Sequence, residues 1–373
     1  MSYNIPGKLV VTDFSLINNI TEKSTEKTNI WRIVDGVTIY ESIFGPNLWG
    51  QAKIIDSYNL YNTLPINNNT YLRFAALDPT TGKSVSKTFK VFSVSNVEQL
   101  NPSLQQYVIK FISIEAYNSR QVRISRRVQG NIPSEIESIH KQISGKGIVV
   151  TKDSAKANIY LPYLSADQAI SLLVNNATWN GAFPDYCYWE TFSAFNCKSL
   201  TACMFESPIH DFSTASSFSR EVYEGFNYND FIKINETQVT NTFDELSILY
   251  NGFSGGTVCT VDPITGDYTS RLIGDNAIAR VYNFPCNSLD YQMLSKRNQL
   301  LNTLRTSFYF INVPGLLSRE SGDLANVTIY SSNNLGVKDK VLSGRKLICG
   351  IAHMISIDDY QQNITLGDYY VGS

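Results

Sequence analysis

Phe44-Gly-Pro-Asn-Leu-Trp-Gly-Gln-Ala-Lys-Ile-Ile-Asp56 parallels Tyr250-Asn-Gly-Phe-Ser-Gly-Gly-Thr-Val-Cys-Thr-Val-Asp262. Each passes through a glycine-bearing loop, enters an alternating strand and ends on Asp, with Gly50 and Gly256 in register. An acidic residue precedes each, Glu41 in the first and Asp244 or Glu245 in the second. Farther on, Phe89-Lys-Val-Phe-Ser-Val94 is similar to Lys346-Leu-Ile-Cys-Gly-Ile351. A polar loop and a final strand follow both, Gln106 to Ile112 and Asn363 to Tyr369. The second spacing exceeds the first by about 50 residues, which implies an insertion in the second copy. This self-similarity predicts two similar small antiparallel β-barrel domains in one chain; the alternative is chance likeness between hairpins.

The segments around the repeat read in the same way. Residues 1 to 28 are polar, hold Thr21-Glu-Lys-Ser-Thr-Glu-Lys27 and are expected as a loop. Trp31 to Tyr40 reads as a hairpin turning at Asp35-Gly36. Ala52 to Tyr61, Tyr71 to Leu77, Thr88 to Val94 and Tyr107 to Ile114 are β-branched or aromatic runs. Turn signals at Asn67-Asn68-Asn69, Asp78 to Gly82 and Asn101-Pro102 separate them.

Near residue 120 the character changes. Arg120, Arg123, Arg126 and Arg127 cluster; an interdomain salt-bridge role is the expectation for them, and binding of an acidic partner surface or of passing DNA is the alternative. Ser134-Glu-Ile-Glu137 reads as a capping box ahead of Ile136, Ile139 and Ile143 on one apolar face. Ser165-Ala-Asp-Gln168 caps a second helix carrying Ala169, Leu172, Leu173 and Trp179. Tyr186 to Glu190 and Ser199 to Phe205 read as two strands joined by a short loop. Strands return from Asp230. One helical pattern puts Leu289, Met293, Leu300 and Leu304 on a shared face. Thr306 to Val313, Val327 to Tyr330, Lys346 to Ile357 and Asn363 to Val371 read as strands, with turns at Pro314-Gly315 and Ser331 to Gly336.

The expected fold is therefore mainly β with α+β insertions: two similar small antiparallel β-barrel domains plus an α+β middle domain. The first β-barrel domain takes 1–117 and the α+β middle domain 118–225. The second barrel is split into a first part, 226–266, and a C-terminal part, 306–373, around a helical insertion at 267–305.

Composition narrows the function. The chain has 373 residues, 43% of them hydrophobic, enough for sizeable cores. Net charge is -2 and only 17% of residues are charged, so no basic excess exists for a phosphate-binding groove. With 22 Tyr and 19 Phe, and with Lys and Glu sparse, the mix favours β-structure and weakly charged contact surfaces. No signal peptide is read from Met1 to Val11, and no apolar run is long enough for a membrane anchor. Cys187, Cys197, Cys203, Cys259, Cys286 and Cys349 form no Cys-x-x-Cys pair and are expected as buried free thiols.

No catalytic, cofactor-binding or metal residues are assigned. His210-Asp211 lie in a Ser/Phe-rich loop without a Gly-x-Ser-x-Gly elbow. His140 is expected on an exposed helix face, and His353 as a hydrogen-bonded core residue of a strand. Asp358-Asp359 fits a hairpin loop, and neither Gly255-Gly256 nor Gly145-Lys-Gly147 has phosphate-loop spacing.

Gln106-Tyr-Val-Ile-Lys-Phe-Ile-Ser-Ile-Glu-Ala-Tyr-Asn118, then Val122-Arg-Ile-Ser-Arg-Arg-Val128 and the helix from Ser134, resembles the central hub protein of T-even-like phage baseplates. Leu161 to Ile170, Tyr186 to Phe192 with Phe195 to Leu200, and Asn241 to Leu246 with Gly252 fit that family in order. So do Val313-Pro-Gly315, Ser343 to Ile348 and His353. The resemblance spans roughly 30 to 371; the segment Thr260 to Cys286, with extra Gly and Asp, departs from it. It implies a non-enzymatic homotrimer in the virion tail baseplate, assembled in the host cytoplasm. Its two barrels per chain would form a pseudo-six-fold ring. The implied partners are the tail spike protein, the tail tube protein and other baseplate proteins, and genomic DNA passes through the ring without specific binding. Two other readings stay open: a receptor- or glycan-binding tail protein, and an enzyme degrading cell wall or capsule, for which no carboxylate pair is identified. Ile54 is the edge-strand position expected at a ring contact.

Overall fold

The computed structural model describes residues 7–21, 24–64, 66–152, 156–214, 232–239, 256–261, 268–273, 282–285, 308–330 and 337–368, together with Arg297, Leu300, Leu301 and Leu304. The N-terminal strands are β1 (Val10–Thr21), β2 (Ser24–Asn29), β3 (Val34–Ser42) and β4 (Trp49–Asp56); a helical turn, α1 (Leu60–Thr63), precedes β5 (Thr70–Leu77), β6 (Ser84–Asn101) and β7 (Leu104–Ser113). Next come α2 (Ile114–Gln121), β8 (Arg123–Asn131), α3 (Ile132–Ile143), β9 (Ile148–Val150), β10 (Lys156–Ser165), α4 (Ala166–Asn176), β11 (Tyr186–Glu190), β12 (Phe195–Ser199) and α5 (Leu200–Met204). The remaining strands are β13 (His210–Ser213), β14 (Ile232–Lys233), β15 (Glu236–Val239), β16 (Gly256–Val261), β17 (Tyr268–Ile273), β18 (Tyr282–Pro285), β19 (Phe308–Pro314), β20 (Leu324–Thr328), β21 (Gly344–Ile355) and β22 (Tyr360–Gly367).

The mainly β character with α insertions is as expected, but the described sheets do not close into separate barrels. One sheet runs β2-β1-β5-β6-β7-β4-β3 and continues through β21 to β20, β13 and β14, with β22, β19 and β15 on a branch from β21. The β3–β21 pairing, with Glu41 opposite Ile351 and Ile39 opposite His353, joins what the sequence suggested as two domains. An unpaired edge on β3 would leave a row of backbone donors and acceptors open, and β21 satisfies them. At the C-terminal end, one bent segment bridges two strands. Its start, β14, pairs with β13 and its end, β15, with β19, and Ile234 N donates to Ser213 O while Asn235 N donates to Asn312 O. Pairing is also not purely antiparallel, since β13 runs parallel to both β14 and β20.

The first core draws on all parts of the chain. Phe14, Phe74, Phe89 and Phe111 pack with Phe192 from the β11–β12 loop and with Leu317 and Tyr360 from the C-terminal region. In the middle region, α3 and α4 lie against the β8–β10 ribbon, burying Ile136, Ile139, Leu161 and Leu173. A third cluster gathers Phe212, Ile311, Val327, Ile351 and Ile364.

Several local readings change. Of the stretch expected as a loop, Val10–Thr21 and Ser24–Asn29 are instead paired strands, because Phe14 and Leu16 reach the core and Asp13 is neutralised by Lys27 and Arg73; residues 1–6 and 22–23 lie outside the described residues. Asp35-Gly36 is not a turn but a register shift within β3; the β3–β4 turn falls at Ile43 to Leu48 instead. The chain from Arg123 to Asn131 is a strand, and α2 precedes it. Asn131, not Ser134, caps α3, its Oδ1 accepting from Ser134 N, because Pro133 fits the first turn where no N–H is needed. The Ser165–Gln168 capping box is present. The partner of β11 is β12, so the strand expected at Ser199 to Phe205 is α5 for most of its length.

The repeat is not reproduced by position. β4 sits between β3 and β7, whereas β16 belongs to a separate sheet with β17 and β18. Those two strands fall inside the span expected as a helical insertion; Arg297, Leu300, Leu301 and Leu304 are helical, while Leu289 and Met293 lie outside the described residues. So do the turn Ser331 to Gly336, Asn241 to Leu246 and Gly252. Ile54 is no edge contact: it is fully buried in a central strand.

Candidate assembly junction

A loop between β19 and β20, Gly315 to Asp323, meets the N-terminal sheet, the middle region and the C-terminal strands. From the N-terminal sheet, Asp78 Oδ2 accepts from Leu317 N at 3.0 Å, Lys83 Nζ pairs with Glu320 at 2.8 Å, and Glu41 Oε1 accepts from Ser321 N at 2.6 Å. From the middle region, Thr191 and Ser193 hydroxyls donate to Glu320 Oε2 at 2.8 and 2.7 Å, and Trp189 Nε1 donates to Ser321 O at 2.9 Å. From the C-terminal strands, Gln362 Nε2 donates to Leu316 O at 2.9 Å and His210 Nε2 donates to Asp323 Oδ2 at 3.0 Å. Arg319 is fully buried, bonded to Pro314 O and Gln362 Oε1, with its guanidinium 5.0 Å from the Phe212 ring centre. Burial lowers this guanidinium to about 10.

A second buried cluster lies where β11 meets the N-terminal sheet. Glu190 accepts from Leu48 N at 3.1 Å and from Lys87 Nζ at 3.2 Å, with Lys146 Nζ at 3.7 Å. Lys87 Nζ also donates to Thr191 O at 3.0 Å, and Lys146 pairs with Glu115 at 2.5 Å. Burial pushes Glu190 up and Lys87 down, each held against that trend by the other's charge. In a buried pair of this kind the cost of desolvation offsets much of the attraction, so what carries energy is the loss of one partner, which strands the other's charge.

The histidines land differently from one another. His140 is buried, not exposed: Nε2 donates to Lys146 O and Nδ1 accepts from Tyr188 Oη, both at 2.9 Å. His210 lies in strand β13, not in a loop, and its partner Asp323 belongs to the junction. His353 is the buried strand residue expected, with Tyr360 Oη 2.8 Å from Nδ1 and Glu41 Oε2 3.8 Å from Nε2. Burial, reinforced by Arg319, takes this imidazole down to about 3, while burial and Glu320 raise Glu41, so both groups are held toward their neutral forms.

This gives a pH dependence of known sign. In the unfolded chain His353 titrates near its ordinary value of 6.5, whereas folded it takes a proton only near 3. Its contribution to stability is therefore complete above about pH 6.5 and is lost as pH falls from there, by about 1.4 kcal/mol per pH unit. Urea melts of the protein and of His353→Gln between about pH 6.5 and 4.5 should show the variant losing less stability per unit, by roughly one proton. Parallel slopes would mean that His353 does not titrate on unfolding.

Other sequence features take simple places. Cys187, Cys197, Cys203 and Cys349 are buried free thiols; the side chains of Cys259 and Cys286 lie outside the described residues. Asp358-Asp359 sits in the β21–β22 hairpin loop. Arg126 pairs with Glu135 and Arg127 Nε donates to Asn158 Oδ1, so these ties lie within the middle region rather than across it. Among the described residues, no three metal-ligating side chains stand together, and no helix is long and apolar enough to cross a membrane. Sequence reading missed the Gly315 to Asp323 loop and the Lys87–Glu190 pair. The one available signal was the charged pair Arg319-Glu320 a few residues after an apolar strand.

No family model matches the chain, and no curated protein matches it by sequence. Its fold is that of solved phage tail proteins. A tail protein from Neisseria meningitidis MC58 superposes with a TM-score of 0.58 at 13% identity, covering 95% of this chain and 97% of that one. The 43 kDa tail protein of prophage MuSo2 from Shewanella oneidensis gives 0.58 at 10% identity, over 95% and 100%. A PdpA-VgrG complex gives 0.50 at 10% identity, over all of this chain and 67% of that one.

Proposed function

We propose that the protein is a non-enzymatic structural component of a phage tail: a trimeric baseplate hub that joins the six-fold tail tube to the three-fold central spike. The observation that carries this reading is end-to-end likeness to two tail proteins, each covered almost completely. The junction supports it. Bonds from three regions converge on one loop, which ties the N-terminal sheet, the middle region and the C-terminal strands together. In this reading the ring belongs to the virion tail baseplate and assembles in the host cytoplasm. The spike, the tube and other baseplate proteins are its partners, and genomic DNA passes through without specific binding.

Co-expression with the spike and tube proteins of the same phage tests the role. The expected product is a complex in which the spike and the tube occupy opposite ends of one ring. A chain that ignores both but binds host-cell glycans would be a receptor-binding tail protein instead.

A further inference from the structure

The outer edge of β6 is open over half its length. β5 pairs with β6 only as far as Tyr71 opposite Lys90, whereas β7 follows it to Asn101. From Val91 onward, among the described residues, no strand lies on the other side. A register shift between Val91 and Ser93 marks Phe92 as a bulge, and its ring turns outward, 57% exposed. Where β5 leaves off, α2 approaches, and a groove of about 480 Å³ opens between them. Phe92 and Tyr117 are its exposed aromatic walls, and Ile112 is part of its lining. Lys90 and Arg120 bring two cations, and none of the lining residues is acidic. Lys90 is occupied, bonded to Asn68 O and lying 4.0 Å from the Tyr71 ring centre; Arg120 is exposed at the rim.

Open backbone groups, apolar walls and uncompensated positive charge together describe one kind of occupant. We propose that this groove receives an extended acidic segment of a partner tail protein, added as a strand along the free edge of β6 with a carboxylate at Arg120. Main-chain bonds to β6 would give affinity, alternate side chains would enter between Phe92 and Tyr117, and the carboxylate would fix the register. That the partner is a tail protein rests on the proposed function; the chemistry of the groove does not.

The probe is a fluorescent peptide of about ten residues alternating glutamate and valine, titrated into the full chain by anisotropy. It should bind saturably and weaken with salt. Arg120→Glu should weaken it about ten-fold or more, equivalent to about 1.4 kcal/mol. Phe92→Ala, at an exposed position, should also weaken it and stands in if the first variant misfolds. A lysine–valine peptide, and an acidic peptide N-methylated on alternate residues, should bind poorly, the latter because it cannot complete a strand pairing. Absence of saturable binding, or equal binding of either control peptide, would overturn the proposal. So would a change of oligomeric state in Arg120→Glu, which would assign the groove to a second copy. Peptide binding by a chain that stays monomeric would sink the ring and leave the groove; a trimer that ignores the peptide would do the reverse.

Discussion

Gly322→Ala is expected to cost about 3 kcal/mol or more, among the largest effects of any single methyl added to this chain. Gly322 holds φ at +94° in the junction loop, where an L side chain is strained by about 1–2 kcal/mol. The added Cβ would also stand 2.5 Å from Cζ2 of Trp189, a side chain that is itself buried and bonded through Nε1 to Ser321 O. Neither group can retreat without breaking that bond, and overpacking of this kind costs about 1–3 kcal/mol more. Gly82→Ala is the control. Its φ is +70°, but nothing lies within 4 Å of the added carbon, so only the backbone strain remains. Urea midpoints of the two variants should separate clearly. Equal midpoints would mean that the junction loop yields at little cost and does not tie the three regions rigidly.

Lys87→Met should cost about 3–5 kcal/mol, because it leaves Glu190 buried without its nearest cation. Lys146, 3.7 Å away and already paired with Glu115, compensates only in part. The loss has a pH signature. Glu190 already sits above its ordinary range because of burial, and removing Lys87 raises it further. A carboxyl with a raised folded value stabilises the fold in its protonated form, so its contribution is present in acid and lost as pH rises through the folded value. The deficit against the parent protein should therefore shrink as pH falls toward the ordinary carboxylate value of about 4.3. Replacing Glu190 by Gln in the same variant should recover much of the deficit at neutral pH. A deficit that does not change with pH would point to lost packing of the lysine stem rather than to a stranded charge.

How much of this was legible in the sequence depends on whether the causes are local. The alternating runs of β5 and β7, the apolar face of α3 and the Ser165–Gln168 box are local patterns, and each is where it was read. Asp35-Gly36 looked like a turn because the dipeptide favours one, but long-range pairing of β3 with β4 and β21 absorbed it as an irregularity. His140 looked exposed because its helix neighbours are polar; what buries it is Phe195 and Tyr188, more than forty residues away. The barrels suggested by the repeat dissolve into a shared sheet for the same reason, since no local pattern announces that β3 and β21 will pair. The junction was least visible of all. Asp78, Thr191 and Gln362 are unremarkable polar residues until the fold brings the loop Gly315 to Asp323 between them.

The central claim is that three copies of the chain form the hub of a tail, and the oligomeric state of the purified protein tests it most directly. Light scattering after gel filtration, with negative-stain images of the main peak, should give a trimer seen as a closed three-fold ring. A folded monomer that stays monomeric when the spike protein is added would contradict the hub.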